Sequence, residues 1–131
     1  TVVADVDLGG STPPGVQDFN WNLSADFRHP VGNRAGLDLI TGLQIIQSGE
    51  YEGLQAFNPV TNPGFILVNL QIGVTGAAWE LSLNVENIFD EEYYVDVQHF
   101  PNYFLLDGGD NIVIGTLGQP RQVSVSFNYH F

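Results

Sequence analysis

Two acidic segments of this sequence carry residue types that could bind a metal ion. The segment DGGDN places Asp107, Asp110 and Asn111 around a glycine pair. Carboxylate and amide oxygens are the ligands that Ca²⁺ prefers in proteins. The spacing matches a complete calcium loop poorly, and a plain Gly-Asp turn is the competing interpretation. Residues 90–92 offer three more carboxylates, so Ca²⁺ at the acidic loops is the one cofactor that the sequence suggests.

Aromatic side chains crowd two further segments, EYEGLQAF and QHFPNYF. Aromatic rings on loops can stack on sugars or on aromatic chelates. The alternative is that these side chains pack the loops against each other. As candidates for binding a ligand, the two segments supply six residues: Tyr51, Phe57, His99, Phe100, Tyr103 and Phe104.

The sequence offers no constellation of residues for an enzyme. It contains no cysteine, which excludes thiolate catalysis, and its three histidines are scattered. It has no Ser/His/Asp spacing typical of a triad and no glycine-rich phosphate loop. Glu80 and Glu86 would lie on one strand face about 20 Å apart, which is too far for paired acid–base work. We therefore predict that the protein is not an enzyme.

The charge balance narrows the class of partner. Fifteen acidic residues face three arginines, lysine is absent, and the net charge is −12. Binding to nucleic acid needs Lys and Arg to neutralise phosphates, so we exclude nucleic acid as a partner. The acidic surface either is simply solvated or attracts cations.

Five segments alternate between apolar and polar residues with a period of two, which is typical of strands whose faces meet different solvents. In the last one, Val123, Val125 and Phe127 alternate with Ser124 and Ser126. Ile40 and Ile46 break the rule in the second segment. The five segments are residues 19–27, 37–46, 66–75, 79–86 and 122–131, and residues 1–7 offer a sixth.

The connections between these segments alternate in length. Residues 30–35 and 76–78 form short links, whereas residues 1–18, 49–64 and 96–118 form long ones. This order predicts that neighbouring strands pair antiparallel, with the short turns at one end of the sheet and the long loops at the other. Eleven of the fifteen acids lie in or beside the long loops.

The pattern favours an antiparallel transmembrane sheet over a soluble β-sandwich. The apolar faces are large and unbroken, and the polar faces carry few of the residues that coat a soluble sheet. Short turns at one end and long loops at the other are typical of outer-membrane barrels. Several aromatic residues lie near strand ends, where interface girdles are expected: Phe19, Trp21, Phe27, Trp79, Tyr129 and Phe131. Closure needs about eight strands, so five or six must belong to a longer chain or to an oligomer.

Two motifs carry a resemblance to a known family. NVENIFDEEYYVDV contains Asn87, Phe89, Asp90 and Tyr93, with Ile88 where the family usually has Leu, and GTLGQPRQVSVSFNYHF contains Gly118, Pro120 and Arg121. Together they resemble the carboxyl end of TonB-dependent outer-membrane receptors. NPGFILVNLQIGV and PPGVQDFNWNLSADFRHPV resemble earlier strands of the same barrels. The resemblance covers residues 1–131 as a carboxyl-terminal barrel segment.

The resemblance implies a ligand-gated importer in the outer membrane of a Gram-negative bacterium. Such receptors take up scarce nutrients (an iron chelate, cobalamin or a glycan) and are driven by the TonB complex through a plug domain, which these 131 residues do not contain. The implied partners are outer-membrane lipid, the remainder of the barrel and the barrel-assembly machinery. Phe131 resembles the terminal aromatic signal that this machinery reads.

Two rival interpretations stay open. One is a structural protein whose strands assemble with other chains into a barrel or filament without any import role. The other is a soluble β-sandwich that binds a ligand.

Overall fold

The computed structural model of this chain is all-β and describes residues 15–32, 36–53, 60–100 and 112–131. Every strand pair in it is antiparallel. None of these four ranges contains a helix that is long and apolar enough to cross a membrane. The strands are β1 (Asn20–Val31), β2 (Leu37–Ser48), β3 (Tyr51–Glu52), β4 (Thr61–Asn62), β5 (Phe65–Thr75), β6 (Trp79–Glu86), β7 (Tyr94–Phe100), β8 (Ile112–Leu117) and β9 (Gln122–Tyr129).

The five long strands form one sheet in the order β1-β2-β5-β6-β9. These are the five alternating segments, so the predicted strands and their antiparallel order are confirmed. β1 extends through Pro30 to Val31, beyond the predicted start of the first turn. Proline lacks an amide donor and is tolerated in edge strands, and β1 is an edge of this sheet. The candidate strand at residues 1–7 lies outside the described residues.

The long links contain two hairpins that the sequence did not predict. β3 pairs with β4 over two residues each, and β7 pairs with β8 across most of their lengths. The link predicted over residues 96–118 therefore contains most of a hairpin, β7–β8, in its described residues. Strand β8 begins IVI, without alternation, and β7 has an irregular register between Tyr94 and Asp96. Because both features interrupt the period of two, the pattern conceals these strands.

One face of the five-stranded sheet is apolar across all strands. The register places apolar residues of neighbouring strands opposite each other, in rows across the sheet. The polar exceptions in these rows are His29, Thr41 and Gln47. Among the described residues Val97, on β7, is the one buried apolar side chain, and it is 6% exposed. By contrast Leu83, on the inner strand β6, is 39% exposed. The described part of the chain therefore provides no second layer over this face. One row runs Phe27, Thr41, Ile72, Leu83 and Val125.

The opposite face is polar over most of its area. Its middle row runs Asp26, Gly42, Gln71, Asn84 and Ser124. Ile40 and Ile46, which break the alternation in β2, both lie on this face. Ile46 pairs with Leu67 near the long-loop end, so it belongs to a small apolar patch there.

The two edge strands, β1 and β9, run in the same direction because an odd number of antiparallel strands separates the ends of the sheet. Each edge leaves backbone groups without a partner in the described part of the chain. Antiparallel closure would therefore require an odd number of additional strands between β9 and β1.

The register between β6 and β9 can be tested by cross-linking, because the chain has no cysteine of its own. Leu83 lies opposite Val125, and opposite residues have Cα atoms about 4.5–5.5 Å apart, within the range of a disulfide. We expect the pair Leu83→Cys and Val125→Cys to oxidise readily. The matched pair Leu83→Cys and Val123→Cys is diagonal, about 7–8 Å apart, and should oxidise poorly. Equal cross-linking of both pairs in non-reducing electrophoresis would contradict the register.

Candidate functional site

The family-like box begins where β6 ends. Asn87 and Asp90 have positive φ angles of 50° and 58°. Asn and Asp enter this left-handed region more readily than other residues with a side chain, because their short polar groups bond locally. The Asp90 amide donates to the Asn87 carbonyl at 2.9 Å. The chain therefore reverses tightly at residues 87–90.

The side chain of Asn87 is the hub of this turn. Its Nδ2 donates to the carbonyls of Glu91 (2.9 Å) and Gln119 (3.2 Å), and its Oδ1 accepts from the Glu91 amide (2.8 Å). Its backbone amide donates to Asn69 Oδ1 on β5 at 2.9 Å. Asn87 is 4% exposed, so its polar groups are paired where water is scarce. Through its backbone amide and its side chain, Asn87 thus joins β5, the end of β6 and the segment that leads into β9.

Asp90 fixes the start of β9. Its Oδ1 accepts from the backbone amide of Arg121 at 2.8 Å. The Arg121 guanidinium lies 4.0 Å from the same carboxylate, and both side chains are half-exposed. An exposed ion pair of this length contributes little, so the backbone hydrogen bond is the stronger link. Pro120 precedes Arg121 and restricts the approach to the strand.

Tyr93 and Gly118 close the base of the β7–β8 hairpin. The Gly118 amide donates to the Tyr93 carbonyl at 2.7 Å. A Cβ atom on Gly118 would clash with the Tyr93 ring, so a larger residue at position 118 would have to displace this ring. The Tyr93 ring also contacts Phe65, with ring centroids 4.5 Å apart. We call the assembly of Asn87, Asp90, Tyr93, Gly118 and Arg121 the strand-end knot.

The structure thus brings together motif residues that are about 30 positions apart in the sequence. Phe89 is the exception, because its side chain is 74% exposed and points away from the knot's hydrogen bonds. Phe131 lies beyond the end of β9, with its ring 5.2 Å from that of Tyr129. Trp79 packs on Gly76 nearby, so aromatic residues gather at the short-turn end.

Tyr51 joins the two loop hairpins. Its hydroxyl donates to the Val95 carbonyl at 3.1 Å and accepts from Asn62 Nδ2 at 2.8 Å. Asn62 is 1% exposed and also donates to the Tyr94 carbonyl at 3.0 Å. These bonds favour, for Tyr51, the interpretation that loop aromatics pack the loops together. Sequence reasoning missed Asn62, because the surrounding NPVTNPG is typical of an ordinary turn.

The remaining candidates have no described side-chain geometry. His99 and Phe100 lie on β7, at the end away from the knot. Within the described ranges no three His, Asp or Glu side chains gather as a metal site. The other predicted site residues lie outside those ranges: Phe57, Tyr103, Phe104, Asp107, Asp110 and Asn111.

Two clefts open on the sheet. One, of about 680 Å³, lies at the long-loop end beside Phe19, Phe89 and Glu91. The other, of about 360 Å³, lies on the polar face around Gly42. No catalytic grouping lines either cleft, and the lining of the second is mostly polar.

Comparison of the chain with models of protein families, with curated proteins and with solved structures finds no match.

The importance of the knot can be tested at Asn87. Asn87→Ala removes three hydrogen bonds and places a residue with no local polar group in the left-handed region. We expect a loss of about 2–4 kcal/mol in the free energy of unfolding. Asn87→Gly keeps the backbone conformation and should lose less. Phe89→Leu, on the same turn but outside the knot, is the control and should change stability by under about 0.5 kcal/mol. Urea titration measures all three, and equal effects of Asn87→Ala and Phe89→Leu would contradict the assignment.

Proposed function

We propose that this chain is part of the barrel wall of a TonB-dependent outer-membrane receptor, which imports a scarce nutrient. The observation that carries the proposal is the exposed apolar face of a five-stranded sheet with a polar face behind it. Contiguous apolar patches of this extent are rare on soluble monomers. Lipid would cover the apolar face, and the polar face would line the lumen.

Three of the five strands in the sheet are long enough for a membrane span. A tilted transmembrane strand needs about 9–11 residues, and β1, β2 and β5 have 12, 12 and 11, whereas β6 and β9 have 8 each. Trp21 lies at the long-loop end of the apolar face, and Trp79 and Tyr129 lie opposite each other at the short-turn end. Aromatic residues at both ends suit the two membrane interfaces.

The strand-end knot supports the family assignment. Asn87, Asp90 and Arg121 belong to one hydrogen-bonded unit, which gives a physical reason for these residue types at this spacing. The knot fixes the terminal strand against its neighbour, which a wall strand needs before it can pair with the rest of a barrel. The acidic residues of the long loops would then face the cell exterior.

The membrane face can be tested by adding a charge to each side of β6. Leu83 and Asn84 are adjacent but lie on opposite faces. We expect Leu83→Arg to cost about 2–4 kcal/mol in folding into lipid vesicles, since it places a charge in hydrocarbon. Asn84→Arg, the matched control, should cost much less. The measurement is urea-dependent refolding into vesicles, followed by tryptophan fluorescence. A soluble β-sandwich would fold without lipid, and its response to the two substitutions would not depend on vesicles.

Import separates the receptor from a structural barrel. In a strain that lacks the full protein containing this chain, we expect lower uptake of one nutrient class among ferric chelates, cobalamin and oligosaccharides. Restored uptake should require both the intact protein and a working TonB complex. If the protein is inserted correctly and supports no TonB-dependent uptake of any of them, the structural interpretation replaces the importer.

A further inference from the structure

We propose that Tyr51 and Asn62 form a releasable latch between the two loop hairpins, which gives the β7–β8 hairpin a closed and an open position. The hydrogen bonds of Tyr51 and Asn62 define the closed position. Release would let β7–β8 swing about its base at the strand-end knot. The inference goes beyond the proposed function and does not rest on it, because the same bonds would hold the two hairpins in a soluble or a purely structural protein.

The β7–β8 hairpin is the part that moves. It forms a two-stranded sheet of its own, and no strand ladder within the described ranges joins it to β3–β4 or to the five-stranded sheet. A two-stranded hairpin is marginally stable by itself in water. Its base is fixed, because the Gly118 amide donates to the Tyr93 carbonyl and the Tyr93 ring contacts Phe65. Away from this base, the position of the hairpin depends on its contacts with β3–β4.

The β3–β4 hairpin is the part that stays in place. The Gly15 amide donates to the Glu52 carbonyl at 2.7 Å, and the Asp18 amide donates to the Glu50 carbonyl at 3.2 Å. These bonds tie β3 to the segment that leads into β1, and β3 itself follows closely after β2. Since the connections are made by the backbone, the hairpin continues the five-stranded sheet at its long-loop end.

An irregularity in β7 supplies the acceptors of the latch. Tyr94 and Asp96 pair with consecutive residues of β8, so Val95 between them is an extra residue without a partner in that strand. An extra residue of this kind interrupts the ladder and bends the strand. The Tyr51 hydroxyl bonds to the Val95 carbonyl, and Asn62 Nδ2 bonds to the Tyr94 carbonyl. Both acceptors of the latch therefore lie where the β7–β8 ladder is disturbed.

The two hairpins approach each other closely beside the latch. A Cβ atom on Gly53, which follows β3, would lie 2.7 Å from the carbonyl oxygen of Val97 on β7. That distance is too short for two atoms without a bond between them, so a side chain at position 53 would push β7 away. The closed position thus requires glycine at this point, in addition to the hydrogen bonds of the latch.

One property of the closed latch favours its release. Asn62 Oδ1 is buried and accepts no hydrogen bond from any described residue. A buried acceptor without a partner costs free energy of the same order as the bonds of the latch contribute. Opening would expose this oxygen and the carbonyls of Tyr94 and Val95 to water, which can bond to all three. The closed position is therefore favoured by a small balance, which the loss of one hydroxyl should shift measurably.

The test measures the separation of the hairpins in the purified, folded full protein that contains this chain. Spin labels are attached at Glu52→Cys on β3 and Val95→Cys on β7, two positions whose side chains are exposed. We expect a single short distance between the labels in the otherwise unaltered protein. Tyr51→Phe removes the hydroxyl and both of its bonds. It should raise the ratio of open to closed populations at least about fivefold, which appears as a second, longer distance.

Two further variants separate the latch from a general loosening of the loops. Tyr94→Phe is the matched control, because it makes the same chemical change on β7 and keeps the carbonyl that Asn62 binds. It should leave the distance unchanged. Gly53→Ala should open the hairpins without removing any hydrogen-bonding group of the latch, because its Cβ would meet the Val97 carbonyl.

The outcomes decide the inference independently of import. An unchanged distance in folded Tyr51→Phe, or equal opening in Tyr94→Phe, would overturn the latch. If Tyr51→Phe does not fold, Gly53→Ala decides, and an unchanged distance there would overturn the latch as well. None of these distances depends on nutrient uptake, so a failed import test would leave the result for the latch intact.

Discussion

The exposure of the apolar face is the constraint on which the rest of this structure depends. Pairing of strands satisfies the backbone hydrogen bonds of a sheet. It does not remove from water the apolar side chains that project from one face. In a globular domain a second layer covers them, and the described part of this chain contains no such layer for the five-stranded sheet. At about 25 cal/mol per Å² of apolar surface, leaving so wide a face in water would cost much of what a small domain can gain by folding. The missing layer must come from outside the described residues.

The same constraint gives the strand-end knot its structural role. β9 is an edge strand, with a pairing partner on one side only, so packing contributes little to its register. A slip of one residue would move its apolar side chains to the polar face. Asn87 and Asp90 bond to the backbone immediately before β9, at Gln119 and Arg121. The strand-end knot thus fixes the register of β9 through bonds made just before the strand begins. In a globular domain, a packed core would provide this constraint.

The alternation of apolar and polar residues predicted the five long strands and their faces. The alternating lengths of the links predicted their antiparallel order. The residue pattern missed the β7–β8 hairpin, because β8 begins with three β-branched apolar residues in a row and therefore does not alternate. It also missed Asn62, since a buried amide that joins two loops has no local pattern. The motifs singled out Asn87 and Arg121 but did not predict how they are connected. Asn87 bonds to the Gln119 carbonyl and Asp90 to the Arg121 amide, and no side-chain pattern specifies such bonds to the backbone.

The distribution of charge follows from the same division of surfaces. A strand residue on the apolar face must lack charge, a residue on the polar face can carry it, and a loop residue is free to do so. The described acids obey this order, with Asp26, Asp38, Glu80 and Glu86 on the polar face and the others toward the long-loop end. Both described arginines lie beside an acid, Arg28 at 2.8 Å from Asp38 and Arg121 at 4.0 Å from Asp90. Among the described residues, the polar face therefore carries an excess of negative charge, with four acids and one arginine, Arg28.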